Sequence, residues 1–113
     1  MDGSILQDVR VACNLEENDD AFDGQLIQLT NTMLFRSAQI GVGKKGFAID
    51  GIGQRWTDFV SESFSEFESL KTYIGLRVRL IFDPPENGAV REVFEKTADE
   101  LEWCIYSEAD VKD

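Results

Sequence analysis

The chain has 113 residues, 42% of them hydrophobic and 29% charged, which suits a single globular domain with a modest core. Its formal net charge of −11 argues against a free-standing nucleic-acid binder, which would need a basic patch to displace counterions. The absence of histidine removes the commonest general base and metal ligand, and no apolar run approaches the roughly 20 residues needed to span a bilayer.

Met1-Asp2-Gly3-Ser4 has no basic stretch of the kind that opens a secretory leader. Cys13 and Cys104 show no CxxC spacing and read as two buried, reduced thiols of an intracellular protein. The charge is uneven. Residues 1–35 carry seven acids against Arg10, and residues 83–113 carry ten against Arg91, Lys96 and Lys112. Between them, residues 36–82 hold seven bases against five acids. Acidic ends around a mildly basic middle fit self-association of complementary surfaces, and equally a solvated face that maintains solubility.

In chain order, Ser4 caps a short first helix with Gln7 three residues on, and Ile5, Leu6, Val9, Ala12 and Cys13 share its apolar face. A polar break follows from Asn14 to Asp20, where Asp19 or Asp20 is placed to cap a second helix over about Ala21 to Ile40. Phe22, Leu26, Leu29, Met33 and Ile40 form its stripe, widened by Ile27, Leu34 and Ala38, and Gly41 and Gly43 are plausible stops. The texture then changes. Phe47 and Ile49 alternate, Asp50-Gly51 is a type I′ turn signal, and Ile52, Gln54 and Trp56 alternate on the return, predicting a small β-hairpin.

Leu76-Arg77-Val78-Arg79-Leu80 alternates like a strand, but Leu70, Tyr73, Ile74, Val78, Ile81 and Phe82 keep helical spacing. A third helix is therefore predicted, capped by Ser63 or Ser65 and ended near Phe82, because Pro84 pushes Asp83 out of the α region. A last helix runs from about Asn87 to Ser107 through Val90, Val93, Phe94, Ala98, Leu101, Cys104 and Ile105. A frayed acidic tail closes the chain.

No chemical motif holds up. Gly41-Val-Gly43-Lys-Lys-Gly46 spells GxGxxG, yet it follows a helix where the dinucleotide motif needs a preceding strand. A phosphate-binding loop fails because Lys45 stands where a metal-binding Ser or Thr is needed. The stretch from Asp19 fails as a calcium loop at Ala21 and Thr30. The abundant carboxylates fall on predicted exposed helix faces, which favours solvation over a carboxylate metal enzyme. Trp56 and Trp103 read as core or interface aromatics. Arg77 and Arg79 point in different directions from one helix. Each is placed to meet Glu92, Glu95 or Asp99 of the last helix, in the same subunit or the next.

The chain resembles the small head–tail connector (head-completion or adaptor) proteins of long-tailed bacteriophages. The likeness rests on "GVGKKGFAI", on "WTDF" at Trp56 to Phe59, on "LKTYIGLRVRLIFDPP" at Leu70 to Pro85, and on "ELEW" at Glu100 to Trp103. It implies a helical protein without catalysis or cofactor that forms a ring, usually a dodecamer, beneath the portal of the DNA-filled head. The partners implied are other copies of the chain, the portal protein and a downstream stopper or tail-completion protein, with DNA passing through unbound by sequence. The place implied is the virion head–tail interface, after synthesis in the host cytoplasm.

The expectation is thus one mainly α domain over residues 1–113, a four-helix bundle-like fold with a β-hairpin between the second and third helices. About 107–113 form a flexible acidic tail. The function expected is a structural adaptor that is not an enzyme and has no membrane partner. A small acidic regulatory or DNA-mimic protein that occupies a basic protein surface is the alternative. Interface candidates are Lys44, Lys45, Phe47, Ile49, Ile52, Arg55, Trp56, Arg77, Arg79, Tyr106 and Lys112.

Overall fold

Ser4 has extended backbone and its Oγ accepts from the Gln7 N–H at 3.3 Å, so the first helix starts where the capping spacing predicts. The structure, a computed structural model, describes residues 3–111, with 110 and 111 described by backbone only. Helix α1, Ile5–Ala12, buries Ile5, Leu6 and Val9. It also buries Arg10, whose guanidinium crosses the polar break to Asp23 (Nε–Oδ1 3.0 Å, Nη2–Oδ2 2.6 Å) and donates to the Glu17 carbonyl at 2.6 Å. The break is therefore held as an ordered corner.

Helix α2, Asp23–Gln39, begins two residues later than predicted and has no side-chain cap. The Asp19 carboxylate turns back onto the Ala21 N–H at 3.1 Å. The helix ends as its glycines suggest. Gly41 takes φ +104 and donates to Ala38 O, while the Val42 N–H reaches back to Ser37 O at 2.9 Å, a Schellman ending with Val42 buried.

The predicted hairpin is absent: no β-strand occurs among the described residues, and the nearest feature is an isolated antiparallel bridge between Ser4 and Arg55. Three observations explain this. Asp50 and Gly51 both lie outside the positive-φ region that a type I′ turn requires at its two central residues. The Ile49 backbone is satisfied by one side chain, the Asn31 amide of α2, which accepts from Ile49 N–H at 2.8 Å and donates to Ile49 O at 3.0 Å. The return segment pairs with the start of the chain instead, as Ile5 N–H donates to Gln54 O at 3.0 Å. Trp56, assigned to the return strand, opens a single helical turn, α3 (Trp56–Phe59), where the Asp58 carboxylate accepts from Arg55 N–H.

Helix α4, Phe67–Phe82, settles the ambiguous alternation of Leu76 to Leu80 as helix and stops where the prolines predict. Neither Ser63 nor Ser65 is its cap; the Ser61 and Ser63 hydroxyls bond each other at 2.8 Å, and Glu66 stands at the N-cap position. Helix α5, Gly88–Val111, starts under Asn87, whose Oδ1 accepts from Ala89 and Val90 N–H. It continues past Ser107, so the segment expected as tail is helical as far as Val111, and Ala109 within it is buried.

Five helices thus replace the expected four plus hairpin among the described residues. Helix α4 is the hub: α1, α2 and α5 each make their main contacts with it, and α1 also meets α2. Gly75 permits the closest approach, since a Cβ there would lie 2.8 Å from the Cβ of Ala12. Leu70, Tyr73, Ile74 and Val78 of α4 join Leu26 and Leu34 of α2 and Ile105 of α5 in one core. The predicted stripes were too wide at their outer positions: Ile40 just after α2, Ile81 of α4, and Val90, Val93 and Cys104 of α5 are exposed. Cys13 is buried as expected, and both thiols are free. No helix among the described residues is long and apolar enough to cross a membrane.

Candidate interaction surfaces

Among the described residues no group of three or more histidine, cysteine, aspartate or glutamate side chains is placed to hold a metal ion. The two arginines of α4 are used structurally. Arg77 of α4 bonds Asp99 at 2.9 Å and Glu102 at 3.2 Å on α5, lies over the Tyr73 ring, and shares Glu102 with the Tyr73 hydroxyl. Burial pulls the Arg77 guanidinium down, but the hydrogen bond to Asp99, followed by its contacts with Tyr73 and Glu102, holds it above its ordinary value. Burial, then the bond to Glu102, raises the Tyr73 hydroxyl. Arg79 donates to Asp83 O at 3.2 Å and stacks over Phe94. The two arginines therefore brace the α4–α5 corner from inside the subunit.

The remaining interface candidates divide by burial. Ile49 is covered within the chain, as is Trp56, whose indole N–H donates to Asp8 at 2.7 Å. Phe47 is half-buried against Phe59, and Tyr106 is half-buried edge-on to Tyr73. Lys44, Lys45, Ile52 and Arg55 are exposed. Lys112 lies outside the described residues.

The most exposed large apolar side chains were not among those candidates. Trp103 is 72% exposed, Ile81 63%, Val93 60% and Phe35 57%. Trp103 and Phe35 share a legible signal: each is an aromatic lying off the apolar stripe of its own helix, on the side away from the core. The first two and a half turns of α5 also stand clear of the body, exposed except for Phe94, and the helix enters the core at Ala98.

The profile of the phage connector protein family matches residues 5–112, nearly the whole chain. The chain belongs to that family. Comparison with curated proteins and with solved structures gave no match. As a connector it is a head–tail structural component of a phage virion, in a family of structural proteins not known as enzymes. The match takes in every helix, so the connector fold is the whole described body. A connector works through its surface, and on this one Trp103, Phe35, Lys44 and Lys45 are among the exposed side chains.

Proposed function

We propose that this connector is a ring-forming adaptor that docks under the portal, extends the DNA channel, and joins the DNA-filled head to the tail or a stopper. The family match over residues 5–112 carries this reading. The surface supports it in two ways. Large apolar side chains lie exposed on α2, α4 and α5, and a head-to-tail ring needs two different sticky faces per subunit. The net charge of −11 suits a channel wall over which DNA slides, since a wall that bound phosphate would retain it. The test is sedimentation with portal-bearing capsids. The reading expects the chain to co-sediment as a ring, usually a dodecamer, visible by electron microscopy below the portal. A chain that stays in the supernatant with such capsids refutes it.

A further inference from the structure

We infer that neighbouring subunits join head to tail, Trp103 of α5 in one copy seating in the hollow beside Phe35 on α2 of the next. The inference deepens the ring reading and rests on it.

The knob is Trp103, the most exposed large apolar side chain among the described residues. It projects from the face of α5 opposite the buried Ala98 and Ile105, and its helical neighbours Asp99 and Glu100 are exposed carboxylates. A tryptophan held in water on a long helix is the side-chain type that anchors protein interfaces. The socket is a hollow of about 390 Å³ lined by Phe35, Ala38, Gln39, Lys45 and Gly46, wide enough for an indole. Phe35 offers an aromatic wall, and Lys45 is placed at the rim to lie over the indole face.

Charge selects a second copy as the occupant. From Gly24 to Ile49 there is no acidic residue, and the bases there, Arg36, Lys44 and Lys45, are exposed and enter no ion pair among the described residues. On α5, Lys96 matches Glu92, and Arg77 matches Asp99 and Glu102. Glu95 and Glu100 remain without an ion-pair partner among the described residues. Glu100 lies beside the knob and Lys45 lines the socket, whereas Arg36 and Glu95 line a separate hollow among α2, α4 and α5. Contact between two Trp103 faces would set acid against acid, so the favoured pairing is between unlike patches, which propagates and closes as a ring.

The test needs one new thiol, because Cys104 is already exposed beside Trp103. Gln39→Cys places a partner in the socket while leaving Trp103 and Lys45 in place. After assembly, a short bis-maleimide is expected to give a covalent ladder rising beyond dimer, lost on adding Cys104→Ser and absent from the unaltered chain. Separately, Trp103→Ala should leave the circular dichroism unchanged and raise the concentration for half-assembly by about tenfold or more. Rings that form as well with Trp103→Ala and give no ladder overturn this contact while leaving the ring reading intact. A product that stops at a Cys104–Cys104 dimer also overturns it. Failure of the unaltered chain to assemble, alone or on portal-bearing capsids, removes both.

Discussion

Replacing Gly43 by alanine should be among the most damaging single-methyl additions this fold can receive. Gly43 sits at φ +94, and a Cβ there would lie 2.2 Å from Cζ of Phe59 and within 2.6 Å of both Cε atoms. The Phe59 ring belongs to the core. Phe59 is 2% exposed, Phe47 packs at 5.4 Å between centroids, and the Phe59 carbonyl is tied to Lys44 N–H at 2.8 Å. Left-handed backbone costs a residue with a Cβ roughly 1–2 kcal/mol, and forcing a methyl into a packed site costs about 1–3 kcal/mol more. The sum of about 2–5 kcal/mol stands against a total stability of roughly 6–17 kcal/mol for a chain of this length. With an unfolding entropy of about 0.24 kcal/mol/K, Tm should fall by roughly 10–20 °C. Gly41→Ala separates the two contributions, because Gly41 has φ +104 but no atom within 4 Å of its would-be Cβ. It should lose only the backbone part, and Gly43→Ala placed on Phe59→Leu should fall to the same cost. Urea and thermal unfolding followed by circular dichroism give all four numbers. A Gly43→Ala loss equal to that of Gly41→Ala would refute the steric account.

Arg10→Ala strands the Asp23 carboxylate and the Glu17 carbonyl in the α1–α2 corner, and should cost about 3 kcal/mol in urea unfolding. Asn31→Ala removes both bonds to the Ile49 backbone and should cost about 2 kcal/mol, with the added amide exchange concentrated in residues 47–55. Of the two thiols, Cys104 should react at once with a thiol reagent and Cys13 only on unfolding. Burial raises the Cys13 thiol from an ordinary 9.0 to about 11, so the folded state holds this proton more tightly than the unfolded chain. Its contribution is full below pH 9.0 and is lost as pH rises through about 11. Cys13→Ala should flatten that alkaline slope in urea midpoints measured against pH.

Some local signals proved legible, although the caps expected from Asp19, Asp20, Ser63 and Ser65 did not form. Ser4 with Gln7, Gly41 after α2, and Asp83-Pro84 after α4 act through neighbouring backbone, and each ends or begins a helix as its chemistry dictates. The hairpin failed because its decisive partner is distant. The Asn31 amide, 18 residues before Ile49, satisfies the backbone groups a cross-strand neighbour would have taken, and no local pattern announces it. The surface split in the same way. Trp56 was named for an interface and is core, because Asp8, far along the sequence, accepts its indole N–H. Trp103 was legible as an off-stripe aromatic, but its 72% exposure depends on how α5 leans on α4. Arg77 and Arg79 left two partners open in sequence, and the choice of α5 in the same subunit followed from the turn at Pro84-Pro85.

The hub position of α4 has a consequence for how the chain comes into being. Helices α1 and α2 leave the ribosome first, with Ile5, Leu6, Leu26 and Leu34 uncovered, and the surface that buries them begins only at Phe67. The first half of each nascent connector therefore waits, adhesive and without its packing partner, until α4 is synthesised. Folding of α1 is post-dated to the arrival of residues more than half a chain away, and α2 waits for the same helix. A polypeptide stalled before Phe67 should be a ready target for proteases and chaperones, while one extended through Phe82 has the hub on which α1, α2 and α5 set.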